Sequence, residues 1–275
     1  MRIQHNISAL NAHRNLSFNN AATSKNLEKL SSGYRINRAG DDAAGLAISE
    51  KMRAQINGLQ QAQNNASDGI NMIQTAEGGL NETHAILQRM RTLAVQSKNG
   101  TYVKEDRDNL QLEVDALKSE ITRISESTKF NGQTLLTSSS TAAGGSVTFT
   151  FAIGADTETI SVNIKNMGIT ALALDGTSVA TVGDSETAIG AIDTALASVS
   201  SQRATLGAVQ NRLEHTVNNL AVTEENITAS ESRIRDVYMA KEMMSFTKNN
   251  ILNQAAQAML AQANMQPQGV LQLLQ

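Results

Sequence analysis

The 275-residue chain contains no cysteine, no tryptophan and a single proline, and aromatic residues make up only 3% of it. A disulfide framework, a thiolate zinc site, an iron–sulfur cluster and a cysteine nucleophile all need a thiol, so all four are excluded. Each buried aromatic side chain removes roughly 150–250 Å² from water, and three Tyr and five Phe supply little such area. The composition favours long helices packed side by side.

The chain also lacks an excess of charge and any long apolar run. Its net charge of −3 offers no clustered basic face, so we predict no nucleic-acid partner. No run of about 18 apolar residues is present, so we predict no membrane insertion. The first residues are not followed by an apolar stretch of about 7–15 residues, and we expect export without a cleaved signal peptide if the protein leaves the cytoplasm.

Helical periodicity is present in three blocks, none of which contains the proline. The first stripe repeats every seven residues, at Leu59, Ala66, Ile73, Leu80, Leu87 and Ala94. The second alternates steps of four and three, at Leu110, Val114, Leu117, Ile121 and Ile124. The third again repeats every seven residues, at Leu206, Leu213, Leu220, Ile227 and Ile234. Apolar stripes of this kind must be covered by partner helices.

The helix ends and lengths predict an extended arrangement. Asp41 and Asp42 can cap a helix that begins at residue 43, and Asp184 can open the third block. A helix over residues 43–97 measures roughly 80 Å, whereas a compact globule of this chain length is only about 50 Å across. We therefore predict a mainly α fold, an elongated antiparallel helical rod or coiled coil with residues 185–235 as the returning partner.

Two glycines and the middle of the chain depart from this helical pattern. Gly78 and Gly79 cost the first helix about 1 kcal/mol each relative to Ala, which indicates a close approach or a bend. Residues 147–153 and 160–164 alternate apolar and polar side chains around a Gly-containing connection and predict a small β-hairpin. The Ser- and Thr-rich residues 137–146 have two readings, a flexible loop or a site of O-glycosylation. Residues 168–183 carry too little pattern to assign.

The two ends of the chain are rich in amides and poor in charge. No charged residue follows Lys248, and the first acidic residue is Glu28. Segments so weakly amphipathic are marginal as isolated helices. They are either frayed tails or segments that order against copies of themselves, because an uncharged amide surface pairs without the desolvation cost of a buried ion.

The same segments carry a family resemblance. Residues 1–11 (MRIQHNISALN), 30–37 (LSSGYRIN) and 40–49 (GDDAAGLAIS) resemble the N-terminal signature of bacterial flagellin. Residues 207–213 (GAVQNRL) and 231–236 (ESRIRD) resemble its C-terminal signature. The resemblance covers roughly residues 1–135 and 197–275 and identifies the chain as a member of that family, in a short form without large outer domains.

The resemblance implies a structural subunit that self-assembles into the extracellular flagellar filament for motility, with no enzymatic activity and no cofactor. Residues 1–42 and 236–275 are then the terminal coiled-coil segments, and 43–184 with 185–235 the helical rod domain, with a variable region at about 137–184. Implied partners are other copies of the chain, a flagellar export chaperone, the export apparatus, the filament cap, hook-junction proteins and the vertebrate Toll-like receptor that senses flagellin.

Two sets of site residues follow. We expect the chain ends and the Asp pair to take part in subunit packing, at Ile3, Ile7, Leu10, Leu30, Asp41, Asp42, Ile251, Leu252, Met259, Leu271, Leu273 and Leu274. By resemblance, the innate-receptor contacts are Arg89, Leu93 and Glu113.

Other classes have less support. No His-Glu-x-x-His and no phosphate-binding loop is present, and the histidines lie in separate blocks. His84 and His215 could face each other across the rod, yet two ligands fall short of a zinc site. A hook–filament junction protein and a secreted coiled-coil adhesin remain the alternatives to a filament subunit.

Overall fold

The fold is mainly α-helical, as the periodicity predicts. The computed structural model describes residues 6–137, 145–155 and 157–273, with side chains as far as residue 265. In the described part of the chain the elements are α1 (Ile7–Ser32), α2 (Ala43–Lys98), α3 (Lys104–Ser127), β1 (Lys129–Phe130), β2 (Gln133–Thr134), β3 (Ser146–Ala152), β4 (Thr159–Lys165), α4 (Val182–Arg235) and α5 (Met239–Leu273). Among these helices, none combines the length and the hydropathy needed to cross a membrane.

The chain divides into two compact units. The terminal unit comprises Met1–Ile56 and Glu225–Gln275, and the central unit comprises Asn57–Glu224. The divisions fall inside α2 and α4, whereas the sequence suggested divisions at the ends of these helices. Periodicity continues across both division points, so the sequence carries no local signal for them.

The starts of α2 and α4 are set by side-chain caps. Asp42 accepts a hydrogen bond from the Gly45 amide (2.9 Å) and so caps α2, as predicted. At the start of α4, Thr181 Oγ1 accepts from the Asp184 amide (3.1 Å) and donates to the Asp184 carboxylate (2.7 Å). The cap is therefore Thr181, and Asp184 lies in the first turn, where its charge favours the positive end of the helix.

The predicted stripes form the core of the central unit. All six residues of the first stripe are buried, and so are Leu206, Leu213 and Leu220 of the third. Helices α2 and α4 run antiparallel within this unit, because Arg91 pairs with Asp193 (2.7 Å) while Lys98 pairs with Glu186 (3.1 Å). These surface ion pairs contribute little energy and mark the alignment, whereas the buried stripes supply the stability.

The predicted hairpin is present as β3 and β4. The strands pair antiparallel, with Phe149 opposite Val162 and Phe151 opposite Ile160. The β4 side chains on the covered face are buried, and the β3 partners are half-buried. The hairpin lies against α2, since a Cβ on Gly69 would come within 3.2 Å of the Phe151 ring.

Two parts of the central unit were not predicted. Strands β1 and β2 form a second, very small hairpin around Asn131 and Gly132, which both have positive φ. The Asn-Gly pair is a strong hairpin signal that the sequence did contain. Residues 168–181 pack against the core through the buried side chains of Leu174 and Val179. The Val179 amide also donates a hydrogen bond to Gln111 Oε1 (2.6 Å).

Gly78 and Gly79 respond to Ala in opposite directions. A Cβ on Gly78 meets no atom within 4 Å, so Gly78→Ala should stabilise α2 by about 1 kcal/mol through helix propensity. A Cβ on Gly79 would lie 2.8 Å from Leu136 Cδ1 and 2.8 Å from Thr128 Oγ1, and Leu136 is fully buried. Overpacking costs about 1–3 kcal/mol, so the Gly79→Ala variant should be less stable than the Gly78→Ala variant by roughly that amount. Urea unfolding monitored by circular dichroism measures the difference. Equal stability of the two variants would exclude the close approach of Leu136 and Thr128 to Gly79.

Candidate assembly surface on the terminal helices

Helices α1 and α5 pack against each other, and small or amide side chains fill most of the contact. We call this contact the terminal seam. Its half-buried or buried residues recur three or four apart, at Ala9, Ala12, Leu16, Asn19, Thr23, Asn26 and Leu30 of α1 and at Phe246, Asn249, Asn253, Ala256, Leu260 and Ala263 of α5. Asn253 Nδ2 donates to Thr23 Oγ1 (2.9 Å), and Asn6 Nδ2 donates to the Ala263 carbonyl (2.8 Å). The two helices are therefore antiparallel.

Most of the large apolar side chains of these helices are exposed and lie outside the seam. We call the two exposed surfaces the outer faces, comprising Ile7, Leu10, Phe18 and Leu27 of α1 and Met244, Ile251, Leu252, Met259 and Met265 of α5. Phe18 is 67% exposed and Met259 is 66% exposed. Among residues 6–56 and 225–265, Ile36 is the only fully buried apolar side chain. The terminal unit thus leaves most of its apolar area uncovered.

The structure places five of the twelve predicted packing residues on these faces. Ile7, Leu10, Ile251, Leu252 and Met259 are exposed, and Leu30 lies half-buried in the seam. Ile3 and Leu274 lie outside the described residues, and nothing is described of the side chains of Leu271 and Leu273.

Four further residues belong to the outer faces and were not predicted. Phe18, Leu27, Met244 and Met265 are all more than half exposed. Their signal in the sequence was weak, because large apolar residues on both sides of a helix leave no single apolar stripe to recognise.

The predicted Asp pair is engaged within the chain. Asp42 caps α2, while Asp41 accepts hydrogen bonds from the Asn37 and Arg38 amides and pairs with Lys25 Nζ at 2.7 Å. The Lys25 hydrogen bond, followed by the two backbone amides, lowers the pKa of Asp41 to about 2. Asp41 therefore ties the loop before α2 to α1.

This ion pair predicts a pH dependence for the terminal unit. Because the pKa of Asp41 is lower in the folded protein than its ordinary 3.8, its contribution to stability is complete above about pH 4 and is lost as the pH falls towards about 2. Asp41→Asn should remove that contribution, so the variant should lose less stability than the parent between pH 4 and pH 2 in thermal unfolding. Exposed Asp68→Asn is the control and should titrate like the parent; identical curves for all three proteins would contradict the assignment.

The connection between α1 and α2 and the connection between α4 and α5 are hydrogen-bonded to each other. Gly33 has a φ of 76° and ends α1, while residues 236–238 separate α4 from α5. The Val237 amide donates to the Gly33 carbonyl (3.0 Å), and the Arg35 amide donates to the Arg235 carbonyl (2.6 Å). The Arg235 guanidinium lies 4.8 Å from the centre of the Tyr34 ring. No Pro or Gly lies between α4 and α5. Instead, the backbone at this break pairs with the backbone of the residues that follow α1.

The three residues assigned to receptor contact do not share one surface. Arg89 and Glu113 are exposed in the central unit, and Arg89 Nη2 lies 2.7 Å from Glu113 Oε1. Leu93 is only 1% exposed and belongs to the hydrophobic core. Its helical position turns it inward, beside Ala94 of the first stripe. The expectation that Leu93 is a surface contact is therefore wrong for this conformation.

His84 and His215 do not meet across the helices. The ion pairs that flank His84 on α2 fall on residues 193 and 203 of α4, whereas His215 lies at least three helical turns further along. His84 Nε2 instead shares a hydrogen bond with Gln88 (3.0 Å). Within the described residues, no three His, Asp or Glu side chains are grouped closely enough to hold a metal ion.

A buried core in the central unit and terminal helices with uncovered apolar faces define a class of mainly α-helical proteins whose chain ends expose apolar surface. Comparisons with known proteins identify the family. The family model of the bacterial flagellin N-terminal helical region matches residues 3–141, and that of the C-terminal helical region matches residues 189–274. The chain belongs to the bacterial flagellin family.

Full-length relatives define the type. The chain is 57% identical to flagellin of Bacillus subtilis and 55% identical to flagellin of Halalkalibacterium halodurans, each over 100% of both chains. The crystal structure of Bacillus cereus flagellin is 34% identical, with a TM-score of 0.50, over 57% of this chain and 88% of that one. The chain is thus a short flagellin of the Gram-positive type, a structural subunit of the extracellular flagellar filament. These relatives do not favour a hook-junction protein or an adhesin.

Proposed function

We propose that the outer faces of the terminal helices are the surfaces through which this subunit polymerises. The observation that supports this is the uncovered apolar area of α1 and α5, in a unit whose described residues bury a single apolar side chain. Covering these side chains with neighbouring copies releases about 25 cal/mol per Å² of apolar surface. Contacts of this kind that do not close into a ring generate an open helical filament.

The predicted packing residues have separate roles in this proposal. Ile7, Leu10, Ile251, Leu252 and Met259 contact neighbouring subunits. The same packing role is proposed for Ile3, Leu271, Leu273 and Leu274. Leu30, Asp41 and Asp42 act indirectly, because their contacts lie within the terminal unit.

The remaining functional assignments follow from family membership. We propose that the chain is exported without a cleaved signal peptide, with the help of an export chaperone and the flagellar export apparatus, and that it has no enzymatic activity. Its filament then meets cap and hook-junction proteins at its two ends. Of the receptor contacts, the exposed pair Arg89 and Glu113 is the surface we assign to the flagellin-sensing Toll-like receptor.

A pair of polar substitutions on one outer face tests the proposed polymerisation surface. Ile251→Ser with Met259→Ser removes two apolar side chains that are each at least 60% exposed. Burial of each side chain is worth about 1.5–3 kcal/mol, so the critical concentration for polymerisation should rise by well over tenfold.

The matched control changes the same helix without removing apolar area. Gln254→Ser with Gln257→Ser introduces the same residue type at exposed, already polar positions. Sedimentation of filaments at a series of protein concentrations measures both variants. The proposal fails if the two double variants polymerise at the same critical concentration.

A further inference from the structure

The terminal seam contains a buried amide where a packed helix pair would ordinarily place an apolar side chain. Asn253 is 8% exposed and is the only buried side chain among the described side chains of α5. Its Nδ2 donates to Thr23 Oγ1, and the Thr23 hydroxyl in turn donates to the Asn19 carbonyl (2.8 Å). Its Oδ1 has no hydrogen-bond partner among the described atoms. Burial of such a group lowers stability, so its presence indicates another role.

Further polar contacts cross the seam on both sides of Asn253. Asn26, with its amide oriented to satisfy both neighbours, donates to Glu242 Oε1 (3.0 Å) and accepts from Asn249 Nδ2 (3.0 Å). At the other end, Asn6 reaches the Ala263 carbonyl. Alanine and leucine pack at many offsets along a partner helix, whereas an amide finds its hydrogen-bond partner at only one. A single Asn in a coiled-coil seam specifies register for this reason, at a cost in stability.

Hydrophobic burial alone would not select the observed arrangement. The outer faces carry Phe18 and Ile251, which are larger than the alanines of the seam. Turning such side chains inward would remove more apolar area from water than the present seam does. Specific contacts that disfavour rotated or shifted pairings of α1 with α5 are therefore needed to keep these apolar side chains exposed.

We propose that the seam amides, with Asn253 and its partner Thr23 at the centre, are positioning residues that fix both the rotation and the register of α5 against α1. The rotation keeps the apolar outer faces turned outward, and the register sets how the two outer faces are aligned along the helices. This inference rests on the proposed function of those faces in polymerisation. It goes beyond that function by assigning a role to side chains that lie in the terminal seam and are not part of the outer faces.

Disulfide trapping tests the register, because the chain has no cysteine of its own. Ala9→Cys with Ala263→Cys reports the observed register, since Asn6, one turn before Ala9, contacts residue 263. Ala9→Cys with Ala256→Cys reports a shift of seven residues, about 10 Å along the helix, which is too far for a disulfide in the observed register. Oxidation at a concentration below that of polymerisation gives the ratio of shifted to observed disulfide.

Asn253→Leu should raise this ratio about tenfold, the size expected when one buried hydrogen bond no longer discriminates between registers. Asn250→Leu is the matched control, because it makes the same change at an exposed position of α5 and should leave the ratio unchanged. Thr23→Val replaces only the hydroxyl that pairs with Asn253 and should also raise the ratio. If Asn253→Leu loses helicity, the result for Thr23→Val tests the inference. The inference is overturned if the ratio of shifted to observed disulfide in the folded Asn253→Leu and Thr23→Val variants equals that in Asn250→Leu.

A polymerisation assay separates this inference from the proposed function. If the register shifts as expected, Asn253→Leu should also form fewer filaments although its outer-face residues are intact. An unchanged disulfide ratio overturns the role of the amides and leaves the role of the outer faces standing. Normal polymerisation of the Ile251→Ser, Met259→Ser variant overturns the role of the outer faces, whatever the disulfide ratio.

Discussion

Removal of residues 249–275 should abolish filament formation and leave the central unit folded. The deletion takes away most of α5, including Ile251, Leu252 and Met259 of the outer face, and it uncovers α1. Without α5 the amide-rich α1 is marginal as a helix in water, so its outer face also loses its fixed shape. The central unit keeps its own buried core, because the apolar residues of that core all lie before residue 225.

Two measurements check this truncation. Electron microscopy of concentrated protein should show long regular filaments for the full chain and none for the truncated chain, even when short filaments of the full chain are added as seeds. Circular dichroism should still show a cooperative thermal transition of the truncated chain, with helix content reduced by about the deleted length. Regular filaments from the truncated chain would contradict a mechanism based on the terminal helices.

Leu87→Ala should destabilise the central unit by about 2–5 kcal/mol, the range for removing a large aliphatic side chain from a core that does not collapse around the cavity. Leu87 has no exposed surface and lies in the main hydrophobic cluster with residues from α3, the β3–β4 hairpin and α4. Shortening its side chain should leave a cavity in this cluster, so the loss of stability should lie inside that range.

Leu112→Ala is the control for this substitution, because it makes the same chemical change on α3 at a side chain that is 69% exposed. Its effect should stay within about 0.5 kcal/mol. Urea unfolding of the two variants, with equal slopes against denaturant, gives the comparison directly. If Leu87→Ala were no more destabilising than Leu112→Ala, the core assignment of the first stripe would be wrong.

The central unit could be predicted closely because its signals are local and strong. Repeats of seven residues place Leu59 to Ala94 on one side of a helix whatever the partner is, and the alternation in β3 and β4 places their apolar side chains on one face of a hairpin. The β1–β2 turn also carried a local signal in Asn131 and Gly132. Residues 168–181 carried none, because their order depends on contacts with α2 and α3 such as that of Val179 with Gln111.

The candidate site was only partly predictable. The amide-rich ends predicted either frayed tails or surfaces that order against other chains. Five of the predicted packing residues are exposed on the terminal helices. The division of α1 and α5 into a seam and outer faces was not predictable, because both faces of these helices carry apolar residues. The prediction for Leu93 was limited in the same way. The family resemblance assigned Leu93 to a surface, whereas its position on α2 places its side chain in the core.

By itself, the sequence determined the long helices, the buried stripes, the β3–β4 hairpin, the absence of thiol chemistry and the family resemblance. Each of these depends on residue type or on spacing over a few helical turns, which neighbouring residues set. Only the tertiary structure decided which faces of α1 and α5 are covered, how Asn253 meets Thr23, and why α4 and α5 are separate helices although neither Pro nor Gly lies between them. Those features arise from contacts between segments about 200 residues apart, whose pairing no local pattern specifies.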